Sequence, residues 1–315
     1  MVKREKKPFS LIIIGGGPAG LTAGIYAKRA KIDTILIEKA ILGGLITSTE
    51  LVENYPGFPQ GISGMDLGKN FEDQAKKYGL DIIYGKVTKI EVKGKIKEVH
   101  TEEHSYSTKA VIIASGSEPQ KLGVPGEKAL TGKGISYCAI CDGPFYKDKN
   151  VAVVGGGNAA LEEAIFLTRF AKLVTIIHRR DELRADKVLQ EKAAANPKIF
   201  LKLSTVVEEI VGDKKVRSIK VKDVKTDKTS SMDIDGIFLY VGLKPNTDFL
   251  KALVDLDKNG NIVTDDKLAT NIEGIFAAGD VRKKHLRQVV TSTADGAIAA
   301  HGAKEYLELE GFSLF

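Results

Sequence analysis

The hydrophobic pattern of the chain begins with two apolar runs separated by a helical stretch. Residues 10–14 form an apolar run that ends in a glycine-rich turn, Leu21–Ala30 has a helical pattern, and Thr34–Glu38 is a second apolar run. Short continuous apolar runs are typical of strands buried on both faces of a parallel sheet. The pattern predicts a β-α-β unit near the start of the chain.

The same order returns in the second half of the chain. An apolar run that begins at Asn150 reaches another glycine-rich turn, a helical stretch follows over Leu161–Phe170, and Leu173–Ile177 is the next apolar run. Two further runs, Lys109–Gly116 and Asn271–Asp280, end in small residues or Gly-Asp and predict additional strands. Strands that alternate with helices indicate an α/β fold with parallel sheets.

The first glycine-rich turn carries a complete dinucleotide-binding pattern at Gly15, Gly17 and Gly20. The first glycine allows a tight turn, the second lets backbone N–H groups approach a pyrophosphate, and the third lets the helix pack closely on the strand. The positive end of the helix faces the phosphates. Glu38 ends the second strand, 23 residues after Gly15, where a carboxylate accepts hydrogen bonds from ribose hydroxyls. This copy predicts an adenosine diphosphate with a free 2′-hydroxyl.

The second turn has the same spacing and the opposite charge. It carries Gly155, Gly157 and Ala160, and His178 lies 23 residues after Gly155, where the first copy has its acid. The basic residues that follow are Arg179, Arg180 and Arg184. Because arginine binds phosphate oxygens bidentately, this stretch favours NADPH, which has a 2′-phosphate, over NADH, which has none.

Two different dinucleotides in one chain indicate hydride transfer from NADPH to a bound flavin. Later segments fit the far side of an FAD site. Gly279-Asp280 can place a carboxylate and a backbone N–H beside the ribityl chain or its phosphate. An Ala-rich helix that opens at Arg287-Gln288-Val289 can direct its N-terminus at the flavin.

These observations predict two Rossmann-like, three-layer dinucleotide-binding domains, with the NADPH domain inserted in the FAD domain. The FAD domain comprises residues 1–117 and 247–315, and the NADPH domain comprises residues 118–246. The junctions Ser115–Pro119 and Gly242–Asn246 contain turn-forming residues that suit hinges.

Composition and charge narrow the function further. The 315 residues are 43% hydrophobic and 28% charged, as in globular proteins, and no apolar run reaches the roughly 20 residues of a membrane span. The charged start Met1–Lys7 is followed by no secretory apolar stretch, so we expect a cytoplasmic protein without a membrane partner. The net charge of +6 comes from lysines spread along the chain, which predicts no nucleic-acid partner.

The segment SYCAICDGPF, residues 136–145, holds the only two cysteines, Cys138 and Cys141. They could form a structural disulfide, half of a zinc site, or a disulfide that is made and broken during catalysis. A two-residue spacer closes too short a loop to stabilise a fold much. Structural zinc usually needs four ligands, and the chain has no second CxxC. The redox interpretation is therefore favoured, and no metal site is expected.

Together these motifs resemble the low-molecular-weight thioredoxin reductases, which are NADPH-dependent flavoproteins. The resemblance covers essentially the whole chain. The CxxC-Asp-Gly segment just before the second glycine turn is highly specific, because flavoprotein relatives with other acceptors share the two turns and lack the cysteine pair. Ile140 departs from the family's usual Thr in the spacer. The resemblance rests on Gly15–Gly20, Glu53–Gly57, Cys138–Gly143, Gly155–Ala160, His178–Ala185, Gly279-Asp280 and Arg287-Gln288.

The resemblance implies an enzyme in which NADPH reduces FAD, FAD reduces the Cys138–Cys141 disulfide, and the dithiol reduces thioredoxin, with a role in cellular redox homeostasis. Cys141 is then the thiol next to the flavin, and Cys138 attacks the thioredoxin disulfide. Asp142 is either the acid or base that handles the thiolate proton or the turn former of an Asp-Gly-Pro loop. A homodimer and a rotation between the domains are also implied.

The candidate binding residues fall into two sets. The residues expected to bind FAD are Gly15, Gly17, Pro18, Ala19, Gly20, Glu38, Lys39, Gly44, Leu45, Asn54, Val87, Ala114, Gly116, Gly279, Asp280, Arg287, Gln288 and Val289. The residues expected to bind NADPH are Gly155, Gly157, Asn158, Ala159, Ala160, His178, Arg179, Arg180 and Arg184.

Two other functions fit part of the pattern. A glutaredoxin-like or peroxiredoxin-linked carrier could replace thioredoxin, because motifs do not reveal a docking surface. A flavin-binding redox sensor could use the CxxC as a switch. A sensor would not require a separate NADPH site with basic residues at the ribose, so the sequence favours an enzyme.

Overall fold

The computed structural model describes residues 7–49, 51–250 and 253–312. The chain divides into two compact units: Met1–Glu118 together with Lys244–Phe315, and the inserted Pro119–Leu243. Residues 1–6, most of the charged start, lie outside the described residues, as do residues 313–315 at the end of the predicted FAD domain.

The strands in chain order are β1 (Phe9–Ile14), β2 (Thr34–Glu38), β3 (Asp81–Tyr84), β4 (Val87–Lys93), β5 (Ile96–Thr101), β6 (Ser105–Ile113), β7 (Ser117–Pro119), β8 (Ile135–Ser136), β9 (Asn150–Val154), β10 (Leu173–Ile177), β11 (Ile199–Lys202), β12 (Thr205–Gly212), β13 (Val216–Asp223), β14 (Thr229–Asp233), β15 (Gly236–Leu239), β16 (Leu243–Pro245) and β17 (Ile275–Ala277). The α-helices are α1 (Pro18–Arg29), α2 (Gly64–Lys77), α3 (Glu127–Leu130), α4 (Ala139–Asp142), α5 (Asn158–Leu167), α6 (Lys187–Ala194) and α7 (Val289–Leu309). The 3₁₀ turns are Gly44–Ser48, Gly143–Tyr146, Asp248–Leu250 and Gly279–Val281.

In the described residues of the first unit, a seven-stranded sheet has the order β3-β2-β1-β6-β5-β4, with β17 also paired to β6. The strands β1, β2, β3, β6 and β17 are parallel, whereas β4, β5 and β6 form an antiparallel meander. Leu11 and Ile13 enter one apolar layer, which includes residues of α1, α2 and α7, and Ile12 and Ile14 enter the other. Successive strand side chains point to opposite faces, so a strand covered on both faces is apolar throughout.

The second unit repeats this plan on a smaller scale. Its described residues form a parallel sheet in the order β11-β10-β9-β15-β8 and an antiparallel sheet β12-β13-β14. Val151 and Val153 of β9 pack in the layer that contains α5, while Ala152 and Val154 pack in the layer of β12 and β13. The α/β class with two Rossmann-like units is confirmed.

Both glycine turns run into their helices earlier than the hydrophobic pattern predicts. The helix α1 begins at Pro18 and α5 at Asn158, three residues before the predicted starts. Proline suits the first position of a helix, because its φ is preset and its missing N–H would have no partner there. A helix that starts at the turn directs its first N–H groups towards the space in front of the glycines.

The last predicted strand is shorter than expected. The pattern predicts a strand over Asn271–Asp280, but β17 covers only Ile275–Ala277. The N–H of Ile272 donates to the Thr270 hydroxyl at 3.1 Å, and Gly274 has a positive φ of 75°, so this part of the segment turns.

The two predicted hinges each contain a short strand, β7 and β16, and these strands pair with each other. Within the described part of the chain, no helix has both the length and the apolar character needed to cross a membrane.

Candidate active site

The glycines of the first turn are required by space and by backbone angle. Gly15 has a φ of 107°, and a Cβ there would lie 2.3 Å from the Ala114 carbonyl oxygen. A Cβ on Gly20 would lie 1.8 Å from the Gly15 carbonyl oxygen, so only glycine lets α1 start this close to β1. A Cβ on Gly17 would meet only the Gly44 Cα, at 4.0 Å. The turn therefore leaves room for a phosphate at the start of α1, where no described side chain caps the helix.

Glu38 lies beside this turn, as the sequence predicts. Its Oε2 accepts the Gly16 N–H at 2.6 Å and its Oε1 accepts the Ala40 N–H at 2.8 Å. The side chain is buried, and two backbone N–H groups hold it as an acceptor. Each carboxylate oxygen keeps a second lone pair for a ribose hydroxyl.

The remaining residues of the predicted FAD set are spread over several loops and strands of the first unit. Gly44 opens a 3₁₀ turn close to Gly17, whereas Lys39 and Leu45 are exposed. The Asn54 amide donates to the Gln288 side-chain oxygen at 3.1 Å, so two predicted residues far apart in the chain meet. Val87 begins β4 and packs in the apolar layer that also contains Ile14 and Ile37. The structure does not connect Val87 to the glycine turn by a described hydrogen bond.

The Gly279-Asp280 segment reaches the start of α1. A Cβ on Gly279, which has a φ of 80°, would lie 2.9 Å from the Ala19 Cβ. The Asp280 Oδ1 accepts the Ser292 hydroxyl at 3.2 Å. Burial raises the pKa of Asp280, and the nearby positive charge of Lys284 opposes that shift.

A buried ion pair behind this segment was not predicted. The Asp295 Oδ2 accepts the Gly279 N–H at 3.0 Å and the Lys284 ammonium at 2.8 Å, and both side chains are almost fully buried. Asp295 thus fixes the turn that presents Asp280. A signal for this pair was present in the sequence: Asp295 is an acid inside an Ala-rich helix. An acid at a buried position of such a helix needs a positively charged or hydrogen-bonding partner.

The start of α7 follows the predicted segment Arg287-Gln288-Val289. Gln288 is the N-cap and forms a capping box with Thr291. The Arg287 guanidinium donates to the Asn261 side-chain oxygen at 3.0 Å. Arg287 is thereby held in front of the helix start.

The second glycine turn has the same backbone device with a different third residue. Gly155 has a φ of 153°, and a Cβ there would lie 2.6 Å from the Tyr240 carbonyl oxygen and 2.7 Å from the Ala160 methyl. A Cβ on Gly157 would meet no atom within 4 Å. No described side chain caps the start of α5, so this turn also fits a phosphate. The predicted Asn158 bonds Asp186, through its amide at 2.7 Å and its oxygen at 2.8 Å.

The basic stretch after β10 folds onto this turn. A Cβ on Gly156 would lie 2.5 Å from the His178 ring, and the Arg184 N–H donates to the Gly156 carbonyl at 2.6 Å. Burial and then the charges of Arg184, Arg180 and Arg179 lower the pKa of His178. The buried Nε2 of His178 has no hydrogen-bond partner among the described residues. An excess of positive charge with an unpaired buried nitrogen fits an anionic group such as the 2′-phosphate.

Cys138 and Cys141 form a disulfide, with the sulfurs 2.11 Å apart. Cys138 is the N-cap of the short helix α4, and its Sγ accepts the Cys141 N–H at 3.2 Å. Cys141 is exposed and Cys138 is half-buried, so the disulfide is within reach of another molecule. Asp142 follows directly at the end of α4, half-buried.

Residues 9–296 match the family Pyridine nucleotide-disulphide oxidoreductase. The chain belongs to this family. It is 47% identical over 305 residues to a thioredoxin reductase of Listeria innocua, covering 96% of this chain and 95% of that protein. It is 48% identical over 306 residues to a thioredoxin reductase of Peptoclostridium acidaminophilum, covering 95% and 97%.

A solved structure gives the same result at the level of the fold. Lactococcus lactis thioredoxin reductase matches with a TM-score of 0.93 and 43% identity, covering 96% of this chain and 99% of that one. The resemblance seen in the sequence is confirmed, and the protein is an oxidoreductase of the thioredoxin reductase type. FAD and NADPH, predicted from the two turns, are the cofactors of such enzymes.

Proposed function

We propose that the protein is an NADPH-dependent thioredoxin-disulfide reductase that acts in cellular redox homeostasis. The observation that carries the proposal is the Cys138–Cys141 disulfide, in the same unit as a dinucleotide turn with basic residues. FAD, when bound, supplies a two-electron path between NADPH and the disulfide. Similarity to thioredoxin reductases over nearly the whole chain supports thioredoxin or a thioredoxin-like protein as the acceptor.

In this proposal the first unit holds FAD. The N-terminus of α1 and its glycines bind the pyrophosphate, and Glu38 binds the ribose. Asp280, held in place by Asp295, and the start of α7 bind the ribityl and flavin part. The other residues assigned to FAD are Pro18, Ala19, Lys39, Gly44, Leu45, Asn54, Val87, Ala114, Gly116, Arg287, Gln288 and Val289.

The second unit binds NADPH in the same proposal. The N-terminus of α5, with Gly155, Gly157 and the residues Asn158, Ala159 and Ala160, binds the pyrophosphate. His178, Arg179, Arg180 and Arg184 bind the 2′-phosphate.

The cysteine pair carries out thiol–disulfide exchange. Reduction of the Cys138–Cys141 bond takes up two electrons and two protons and yields two thiols. The Cys138 thiolate attacks one sulfur of the acceptor disulfide, which forms a mixed disulfide and expels a thiolate. Cys141, the thiol on the flavin side, then attacks the Cys138 sulfur, releases the second acceptor thiolate and restores the bond. Asp142, adjacent in the turn, handles the proton of the thiolate.

We also propose a cytoplasmic homodimer. A redox-active cysteine pair suits a reducing compartment.

Several large apolar side chains of the first unit are exposed, among them Ile41, Met65 and Tyr26, which supports a subunit interface on that unit. Light scattering of the purified protein would give the mass of a dimer.

The test uses Cys138→Ser and Cys141→Ser. We expect each variant to lose NADPH-dependent reduction of thioredoxin completely, because exchange needs both an attacking and a resolving sulfur. Reduction of ferricyanide by NADPH should continue, since it needs only the cofactors. Thioredoxin turnover by either variant would contradict the proposal, and wild-type protein that reduces only a glutaredoxin-like carrier would reassign the acceptor.

Asp142→Asn separates its two roles. If Asp142 handles the proton, thioredoxin turnover falls about 100-fold, and the pH profile of turnover changes. Unchanged turnover would leave Asp142 as the turn former only.

A further inference from the structure

Tyr240 binds the turn that carries the cysteine pair, and it comes from another part of the chain. It follows β15, and its N–H donates to the Val154 carbonyl at 2.8 Å, which extends the parallel pairing with β9. Strand alternation places its ring on the same face as Phe238, in the apolar layer that contains Ala139. Its hydroxyl accepts the Ala139 N–H at 2.9 Å.

Four amide hydrogens of the turn that carries the two sulfurs have identified acceptors. The Cys138 N–H donates to the Ser136 hydroxyl at 3.0 Å, and the Asp142 N–H donates to the Cys138 carbonyl at 3.2 Å. The Cys141 N–H donates to the Cys138 Sγ at 3.2 Å. All three acceptors belong to the segment itself. The Ala139 N–H is bound by a residue from another strand, so Tyr240 anchors the turn to the sheet.

We propose that Tyr240 is a positioning residue for the Cys138–Cys141 pair: its hydroxyl holds the Ala139 amide and so keeps the Cys141 N–H directed at the Cys138 sulfur. The test by thioredoxin turnover rests on the proposed function, whereas the test by redox equilibrium with dithiothreitol does not. Nothing in the CxxC motif specifies this contact, because Tyr240 lies about a hundred residues further along the chain.

The anchor matters most when the pair is reduced. In the disulfide, the S–S bond itself ties the two ends of the turn together. In the dithiol that tie is absent, and the position of the Cys141 N–H against the Cys138 sulfur depends on hydrogen bonds alone. An N–H directed at a thiolate stabilises the nucleophilic form. Ala139 is fully buried, so without the hydroxyl its N–H loses a partner that water does not readily replace.

Tyr240 acts as a neutral anchor and not as a proton donor. Burial of its hydroxyl raises the pKa of Tyr240, and the Glu163 and Asp142 carboxylates raise it further. The phenol therefore stays protonated at physiological pH, and its oxygen remains available to the Ala139 N–H. Proton transfer at the pair is left to Asp142.

The experiment compares Tyr240→Phe with Tyr137→Phe in the full-length, FAD-loaded protein. Tyr137 is the matched control: it lies next to Cys138, and its hydroxyl donates to Glu127 at 2.8 Å instead of binding the turn. Each protein is equilibrated with mixtures of reduced and oxidised dithiothreitol, and the fraction of reduced pair is measured by thiol labelling and mass spectrometry. We expect the equilibrium constant for reduction to fall in Tyr240→Phe by up to about tenfold, the value reached when the hydrogen bond stabilises only the dithiol form of the turn, and to be unchanged in Tyr137→Phe.

Two rates complete the test. Alkylation of the dithiol by iodoacetamide and turnover with thioredoxin should both fall about tenfold in Tyr240→Phe, while ferricyanide reduction by NADPH stays at the wild-type value. An unchanged dithiothreitol equilibrium in Tyr240→Phe would overturn the proposal, whatever the turnover. Should that variant melt early, Tyr240→Met, which fills the space without a hydroxyl, must show the same shift. Failure of the wild-type protein to reduce thioredoxin would reject the proposed function and leave the equilibrium result intact.

Discussion

The two glycine turns share one backbone plan and differ in the charge beside it. In the first, the Glu38 carboxylate accepts the N–H of Gly16, the middle glycine. In the second, the His178 ring packs against the middle glycine Gly156. The residue at the end of the second strand, Glu38 in β2 and His178 directly after β10, therefore lies beside the middle glycine in both units. It is an acid in the first unit and an imidazole beside arginines in the second. In the proposed function the backbone of each turn binds phosphate, and this single side-chain position selects the ribose.

The third position of the motif shows a second difference. Gly20 permits no Cβ, because one would lie 1.8 Å from the Gly15 carbonyl oxygen. At the equivalent place the second turn has Ala160, whose methyl is fully buried near Gly155. The second turn therefore accommodates a methyl group at a place where the first turn has no room for one.

The largest expected effect comes from substituting the third residue of each glycine motif, Gly20 and Ala160. In Gly20→Ala the new methyl pushes the start of α1 away from the Gly15 carbonyl. We therefore expect this variant to be purified without FAD, as measured by the ratio of flavin to protein absorbance. The overpacking should also lower the free energy of unfolding by about 3 kcal/mol. The matched variant Ala160→Gly should cost only about 1 kcal/mol and keep both cofactors. Full flavin content in Gly20→Ala would show that the first turn, like the second, has room for a methyl group at the third position of the motif.

Neutralising the basic stretch gives an intermediate effect. Arg179→Ala with Arg180→Ala should raise the KM for NADPH roughly 30-fold, through loss of charge-assisted hydrogen bonds to the 2′-phosphate, and leave the KM for NADH nearly unchanged. The measurement is steady-state ferricyanide reduction with each nucleotide. The control is Lys214→Ala with Lys215→Ala, which removes two exposed charges elsewhere in the second unit. If the arginine variant and the wild type show the same preference between NADPH and NADH, the charge difference between the two turns does not determine which nucleotide binds.

The smallest effect is a shift in the titration of His178. Its lowered pKa means that below about pH 6.5 the unfolded chain binds more protons than the native protein at this site, so the histidine reduces native stability as the pH falls. A 2′-phosphate opposes the arginine charges and should raise the titration midpoint. We expect the NMR signal of the ring, assigned with His178→Gln, to shift its midpoint upward with 2′,5′-ADP and not with 5′-ADP. The same midpoint with both nucleotides would place the 2′-phosphate away from His178.

The membership of the family and the cysteine pair were accessible from the sequence, because they depend on local spacing. Glycines, small residues and apolar runs act within a few residues of each other, and the α/β class with two Rossmann-like units is confirmed. The residues proposed for each cofactor remain predictions. The two helices begin three residues earlier than predicted, at Pro18 and Asn158. The first turn of a helix does not need apolar residues, so the apolar pattern does not mark where the helix begins.

The sequence by itself determined the two dinucleotide turns, their opposite charges and the position of the CxxC, since each is a short segment whose chemistry follows from residue type and spacing. Only the tertiary structure decided which distant groups support them. Asp295 and Lys284 hold the Gly279 turn, Asn54 meets Gln288, and Tyr240 binds the Ala139 amide. These contacts join residues from separate strands and helices, so no local pattern encodes them. They exist because a buried N–H or carboxylate must find a partner wherever the fold brings one.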